Sequence, residues 1–187
     1  MVSDMLKQLW DNGLIQLGIW ETVYMTLLST LIAYGIGLPI GVILCITDKD
    51  GIHPNRWINR ILGFVVNIFR SIPFIILMVA MLPVAKAIVG TSMGNKAMIV
   101  MLIIAAAPYV ARMVESSVKE VSHGVIEAAQ AMGTSNLKII TRVMIPEAKP
   151  SLIIGAVIST VTILGYSAMA ATIGGTGLGQ IAIIYGH

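Results

Sequence analysis

The chain has 187 residues, of which 57% are apolar and 11% charged, with a net charge of +3 and a mean hydropathy of +0.89. A soluble domain carries about 25% charged residues, so this chain lacks the polar surface that water requires, and its long uncharged runs between short charged patches are those of a polytopic membrane protein. The lone Cys45 excludes a disulfide scaffold, and basic residues scattered between apolar runs, rather than gathered on one face, exclude a nucleic-acid partner.

The start of the chain, with Asp4, Lys7 and Asp11, does not have the basic-then-apolar order of a cleavable signal peptide. The first uncharged run, 22–47, would make a helix of about 39 Å, enough to cross a hydrocarbon core of about 30 Å. Gly35, Gly37, Pro39 and Gly41 lie inside it, and Gly37 with Gly41 forms a GxxxG pattern that permits close helix approach. A second run, 61–85, is apolar except for Asn67 and Arg70. A third, about 95–113, borrows polar flanks to reach spanning length. A fourth, 151–173, carries no charge. These four spans predict an all-α, polytopic helical bundle and a single transmembrane domain over 1–187, with a cytoplasmic loop at about 114–150. A glycine-rich turn, Gly174 to Gly179, and a short apolar tail ending at His187 follow the fourth span.

The cations set the orientation. Lys49, Arg56 and Arg60 follow span one, and Arg112, Lys119, Lys138, Arg142 and Lys149 follow span three. Positive charge stays inside, so both segments are read as cytoplasmic and the N-terminus as outside. Trp20 and Trp57 fall at span edges, where an indole prefers to lie.

Little in the chain suggests catalysis. There is no Walker A sequence, and the glycine turn lacks the lysine of a phosphate cradle, which leaves a flexible turn leaving the membrane. Gly165-Tyr166-Ser167-Ala168-Met169 half-resembles a nucleophile elbow, with Met169 where glycine belongs. His53, His123 and His187 all lie outside the spans, so Ser167 has no evident base. No His, Cys and carboxylate cluster has metal-ligand spacing. Arg70 has two readings. It is either a functional intramembrane charge or a cytoplasmic-edge anchor that snorkels to lipid headgroups, with the true span beginning at Ser71-Ile72-Pro73.

The cytoplasmic segment is the most informative. Ser122 can cap a helix through Val125–Met132 that stops at Gly133, and Thr134 and Ser135 can cap a second, Leu137–Ile145, closed by Pro146. Small Ala128, Ala129 and Ala131 would let another protein approach, with Ile126 and Met132 offering apolar contact. A plain surface helix pair has the same periodicity.

Glu127-Ala128-Ala129, Gly133 and, nine residues on, Val143-Met144-Ile145-Pro146 resemble the EAA loop of permease subunits in bacterial binding-protein-dependent ABC importers. Val143 and Ile145 stand where the family prefers Ile and Leu. Asn67 to Phe74, Ala107 to Glu115, Gly165 to Met169 and Gly177-Leu178-Gly179-Gln180 resemble the methionine-importer branch, the similarity running from about Trp20 to the end. The resemblance implies a type I ABC importer permease that carries L- or D-methionine and works as a homodimer. It implies two ATPase subunits that hold ATP and Mg, an extracytoplasmic substrate-binding lipoprotein, and membrane lipid around the spans. Glu127, Ala128, Ala129, Gly133, Ile145 and Pro146 would couple to the ATPase, while Tyr166, Ser167 and Met169 would form the path and its gate; a packed core methionine is the other reading of Met169. The branch has a fifth span after the glycine turn, which is expected to be missing here. The competing functions are an ATP-independent channel or secondary carrier and, from another class, an intramembrane serine hydrolase using Ser167.

Overall fold

The structure, a computed structural model, describes residues 2–186, without the side chains of residues 2–6; His187, one of the three histidines considered above, lies outside the described residues. Among the described residues every regular element is helical. The described residues cluster into two compact units, one of residues 2–32, 72–106 and 160–186, the other of residues 33–71 and 107–159.

After α1 (Val2–Asp11), helix α2 (Leu14–Thr47) starts eight residues before the expected first span. Trp20, 67% exposed, therefore lies inside the helix, two residues before the uncharged run begins. Helix α6 (Gly94–Lys119) covers the third run. Helix α10 (Lys149–Ser167) and the 3₁₀ segment Ala168–Ile173 cover the fourth. These three are long and apolar enough to cross a membrane.

The second run, 61–85, is not one helix. It is built from α3 (Arg56–Ser71), α4 (Phe74–Ala80) and α5 (Leu82–Val89). Pro73, at φ −54° and ψ 136°, disfavours helical geometry at Ile72, so α3 ends at Ser71, whose hydroxyl donates to the Asn67 carbonyl at 2.8 Å. A crossing in this region exists only if the broken pair of α3 and α4 acts as one span.

In the second unit, Gly37 and Gly41 do mark a helix crossing. A Cβ at Gly37 would lie 2.7 Å from Val110 Cγ1 and 2.9 Å from the Ala107 carbonyl oxygen of α6, and one at Gly41 would run into the Ala111 carbonyl oxygen. Beside this crossing Leu44, Val66 and Ala111 are buried together, flanked by Ile40 and Leu62.

The cytoplasmic segment comprises α7 (His123–Ala131), α8 (Asn136–Ile139), a π turn (Ile140–Met144) and α9 (Ile145–Glu147), which leads into α10. Pro146 does not close the second helix. The wider π turn just before it puts the carbonyl ladder out of step, removing the clash with the carbonyl four residues back that proline makes in a regular helix. The path continues through Ala148 N–H to the Met144 carbonyl at 2.9 Å and Leu152 N–H to that of Ala148 at 2.9 Å.

Candidate functional site

Helix α7 is shaped by its two ends. Ser122 is the N-cap, but its hydroxyl makes no capping bond; its carbonyl instead accepts from Val125 N–H at 3.1 Å and Ile126 N–H at 3.4 Å. At the other end Gly133 adopts φ +71°, the left-handed conformation glycine tolerates best. Thr134 N–H then reaches the Ala129 carbonyl at 3.2 Å and Gly133 N–H that of Gln130 at 2.9 Å. This pair of bonds is the Schellman termination, and it turns the chain sharply into α8. Ser135 precedes α8 without a side-chain cap.

The knob has an inner and an outer face. Ile126, Ala129, Ile139 and Met144 are buried within the unit. Glu127, Ala128 and Gly133 are exposed, as is Pro146, and Ile145 is half-buried. Ile126, expected to offer apolar contact, thus faces inward, and Ala129, three residues on, shares its face. The outward apolar contact comes from Met132, 78% exposed, Leu137, 71% exposed, and Val125.

Behind α7 lies a cavity of about 310 Å³, with Glu127 and Gln130 on one wall and Asp48 and Lys119 on the other. Its far wall is tied together by a charged network. Glu115, nearly buried, accepts from Arg112 at 2.5 Å and from Lys119 at 2.8 Å. Lys119 also meets Asp48 at 2.5 Å, and Arg112 donates to Asn67 Oδ1 at 2.9 Å. A carboxylate with two cationic donors offsets much of its desolvation. The Lys119 hydrogen bond holds the Asp48 carboxyl below the usual carboxylate range. Sequence reasoning missed this network. The spacing of Arg112, Glu115 and Lys119 on one helix was a visible signal, but nothing local pointed to Asp48 or Asn67.

In the first unit, Tyr166 stacks on Phe74, ring centroids 4.5 Å apart and planes 6° from parallel. Ser167 is buried, and its hydroxyl donates to the Leu164 carbonyl at 2.8 Å. Met169 is 36% exposed at the start of the 3₁₀ segment. The structure therefore places Tyr166, Ser167 and Met169 where α10 tightens, a change of helix type common at hinges. The glycine turn beyond is strapped rather than free. Thr176 N–H donates to Asn95 Oδ1 at 2.7 Å, Asn95 Nδ2 to Thr176 Oγ1 at 2.6 Å, and Leu178 N–H to Thr22 Oγ1 at 2.9 Å. It leads into α11 (Leu178–Tyr185).

Arg70 is exposed in the last turn of α3, three residues before the proline break. Among the described residues no group of three or more His, Cys, Asp or Glu side chains is placed to hold a metal ion.

Residues 37–185 match the family described as binding-protein-dependent transport system inner membrane component. The chain is 49% identical over 176 residues to the probable D-methionine transport system permease protein MetI of Vibrio cholerae, covering 94% of this chain and 78% of that protein. It is 49% identical over 152 residues to the D-methionine transport system permease protein MetI of Escherichia coli K12, covering 81% and 70%. Its fold matches a solved structure of the MetNI methionine ABC transporter in an inward-facing conformation, with TM-score 0.92 and 46% identity over 97% of this chain and 82% of the other. An amino acid ABC transporter at 22% identity shares the fold, with TM-score 0.77. With the apolar α2, α6 and α10, these likenesses make the chain a multi-pass membrane permease subunit rather than an enzyme. It belongs to the family of binding-protein-dependent transport system inner membrane components.

Proposed function

We propose that this permease carries methionine, as the L or D isomer, and works as one of two copies in an ATP-driven importer. The knob at 123–147 is its contact with the ATPase. The observation that carries this reading is the outer face of α7 and α8: Met132 and Leu137 stand exposed on a base of buried Ile126, Ala129, Ile139 and Met144. A rigid, Schellman-capped helix with an apolar tip suits insertion into a cleft of another protein, and a helix docked in a groove is a recurrent recognition mode. Glu127, Ala128 and Gly133 lie on or beside the outer face, while Ala129 acts from the inner one. Ile145 and Pro146 carry the knob into α10, which leads to Tyr166, Ser167 and Met169 as the gated path.

The chain has no phosphate-binding lysine loop of its own, so two partner ATPase subunits would hold ATP with Mg. An extracytoplasmic binding lipoprotein would deliver the substrate. The distribution of Lys and Arg supports a cytoplasmic side for segments 48–60 and 112–150, with the N-terminus outside and lipid around the helices.

The test is uptake of labelled methionine into vesicles that hold the permease, its ATPase and the binding protein. ATP-dependent uptake, lost on Glu127→Ala or Gly133→Leu while the permease stays in the membrane, is the expected result. Uptake that persists without any ATPase would favour an ATP-independent carrier and sink the reading.

A further inference from the structure

A second cavity, of about 500 Å³, opens where α2 ends and α3 begins. Three cations line it: Lys49, Arg56 and Arg60. Neither arginine has a carboxylate within 4 Å among the described residues, and Lys49 has only the exposed Asp50, at 3.6 Å. The carboxylate on the cavity wall, Asp48, is already held by Lys119 at 2.5 Å. Asn59 is likewise engaged, donating to the Leu44 carbonyl at 2.8 Å. The cavity therefore presents uncompensated positive charge.

The helix that bears the two arginines is two-faced. Arg56, Arg60, Asn67 and Arg70, at intervals of four, seven and three residues, fall along one stripe of the helix. Trp57, Ile61, Phe64 and Ile68 form the neighbouring stripe, exposed at 75%, 60%, 64% and 42%. A helix of 16 residues with arginine on one face and Trp, Phe and Ile on the other suits the plane of a membrane interface, its apolar face among acyl chains. Its cations then lie at headgroup depth, beside the exposed Trp57 ring at the mouth of the cavity.

We propose that the cavity formed by Lys49, Arg56 and Arg60 beside Trp57 binds the phosphate of an anionic phospholipid of the surrounding leaflet. The shared chemistry is a phosphate anion. The apolar stripe next to the cations favours the membrane as its source, because a lipid satisfies the charges and covers Trp57, Ile61 and Phe64 together. The inference deepens the reading that segment 48–60 lies on the cytoplasmic side of a chain with lipid around its helices, and it rests on that reading.

The test uses the chain with Trp10→Phe and Trp20→Phe, which leaves Trp57 as the only tryptophan, in phosphatidylcholine vesicles. Dibrominated phosphatidylglycerol and dibrominated phosphatidylcholine are titrated separately, and quenching of Trp57 yields their relative association constants. A preference for phosphatidylglycerol is expected, falling about 25-fold in the Arg56→Gln, Arg60→Gln variant, at about fivefold for each cation. Arg56→Lys with Arg60→Lys should keep most of it. Equal quenching by the two lipids in the arginine-bearing protein would overturn the headgroup site alone. Absence of quenching by both would also overturn the lipid-facing placement of the loop. Loss of the preference on adding millimolar inorganic phosphate at constant ionic strength would assign the cavity to free phosphate and overturn the lipid assignment.

Discussion

Replacing Gly41 by alanine adds one carbon where α2 presses on α6. That carbon would run into the Ala111 carbonyl oxygen and lie 2.7 Å from Val114 Cβ, against an ordinary carbon–carbon separation of about 3.5–4.0 Å. Neither obstacle can swing aside, since one is backbone and the other is the first atom of a β-branched side chain. The helices must therefore separate by about 1 Å, loosening the contacts around Leu44 and Ala111. Overpacking of this kind costs about 1–3 kcal/mol. For a chain of this length each kcal/mol moves the midpoint by about 2–4 °C, so a fall in Tm of roughly 2–12 °C is expected. Gly35→Ala is the matched control, with the same substitution in the same helix and nothing within 4 Å of the added carbon; it should leave Tm unchanged or slightly raised. Thermal unfolding of both variants in one detergent measures the difference. If Gly41→Ala melts with Gly35→Ala, the close crossing of α2 and α6 is refuted.

Further outcomes follow from the same geometry. Gly133→Ala meets no atom within 4 Å, so its cost is the left-handed backbone alone, about 1 kcal/mol, and it should appear as faster amide exchange at Thr134 and at the substituted residue itself, with global stability nearly kept. Asn95→Ala removes both bonds to Thr176; it should cost about 1–3 kcal/mol and raise amide exchange at Thr176, and native protection there would contradict the strapped turn. Glu115→Leu leaves Arg112 and Lys119 without their shared carboxylate and should destabilise by about 3 kcal/mol in denaturant titration. Asp48, whose folded carboxyl lies below its ordinary value of 3.8, is stabilising while ionised. The difference in stability between the unsubstituted chain and Asp48→Asn should therefore be constant near neutrality and vanish only as pH falls below about 4, through the folded value. A difference that grows in acid would give the wrong sign.

Much of the knob can be read in the residues themselves, because its determinants are local. Gly133 ends α7 since a left-handed residue is needed there, and the apolar runs of α2, α6 and α10 are long enough to identify without tertiary information. The break at Ile72–Pro73 is marked by the backbone restriction that Pro73 imposes and by the polar Asn67, Arg70 and Ser71 before it, but the apolar residues on both sides let 61–85 pass as one run. The helix that runs on through Pro146 was misread because a π turn removes the clash a regular helix would suffer. The inward turn of Ile126 depends on what lies beneath α7, namely Ile139 and Met144, and no sequence periodicity states which apolar residues a short helix buries. The contact of Lys119 with Asp48 joins residues 71 positions apart, and the straps from Asn95 and Thr22 to the glycine turn reach still further, over 81 and 156 positions.

The central claim is that the outer face of α7 and α8 seats the ATPase. Met132→Asp and Leu137→Asp each place a charge on an exposed tip without touching the buried base, so the permease should fold and reach the membrane as before. ATP-driven methionine uptake and co-purification of the ATPase, measured on the same vesicles, should both fall by at least tenfold when the two substitutions are combined. Native uptake and native co-purification in that double variant would contradict the account.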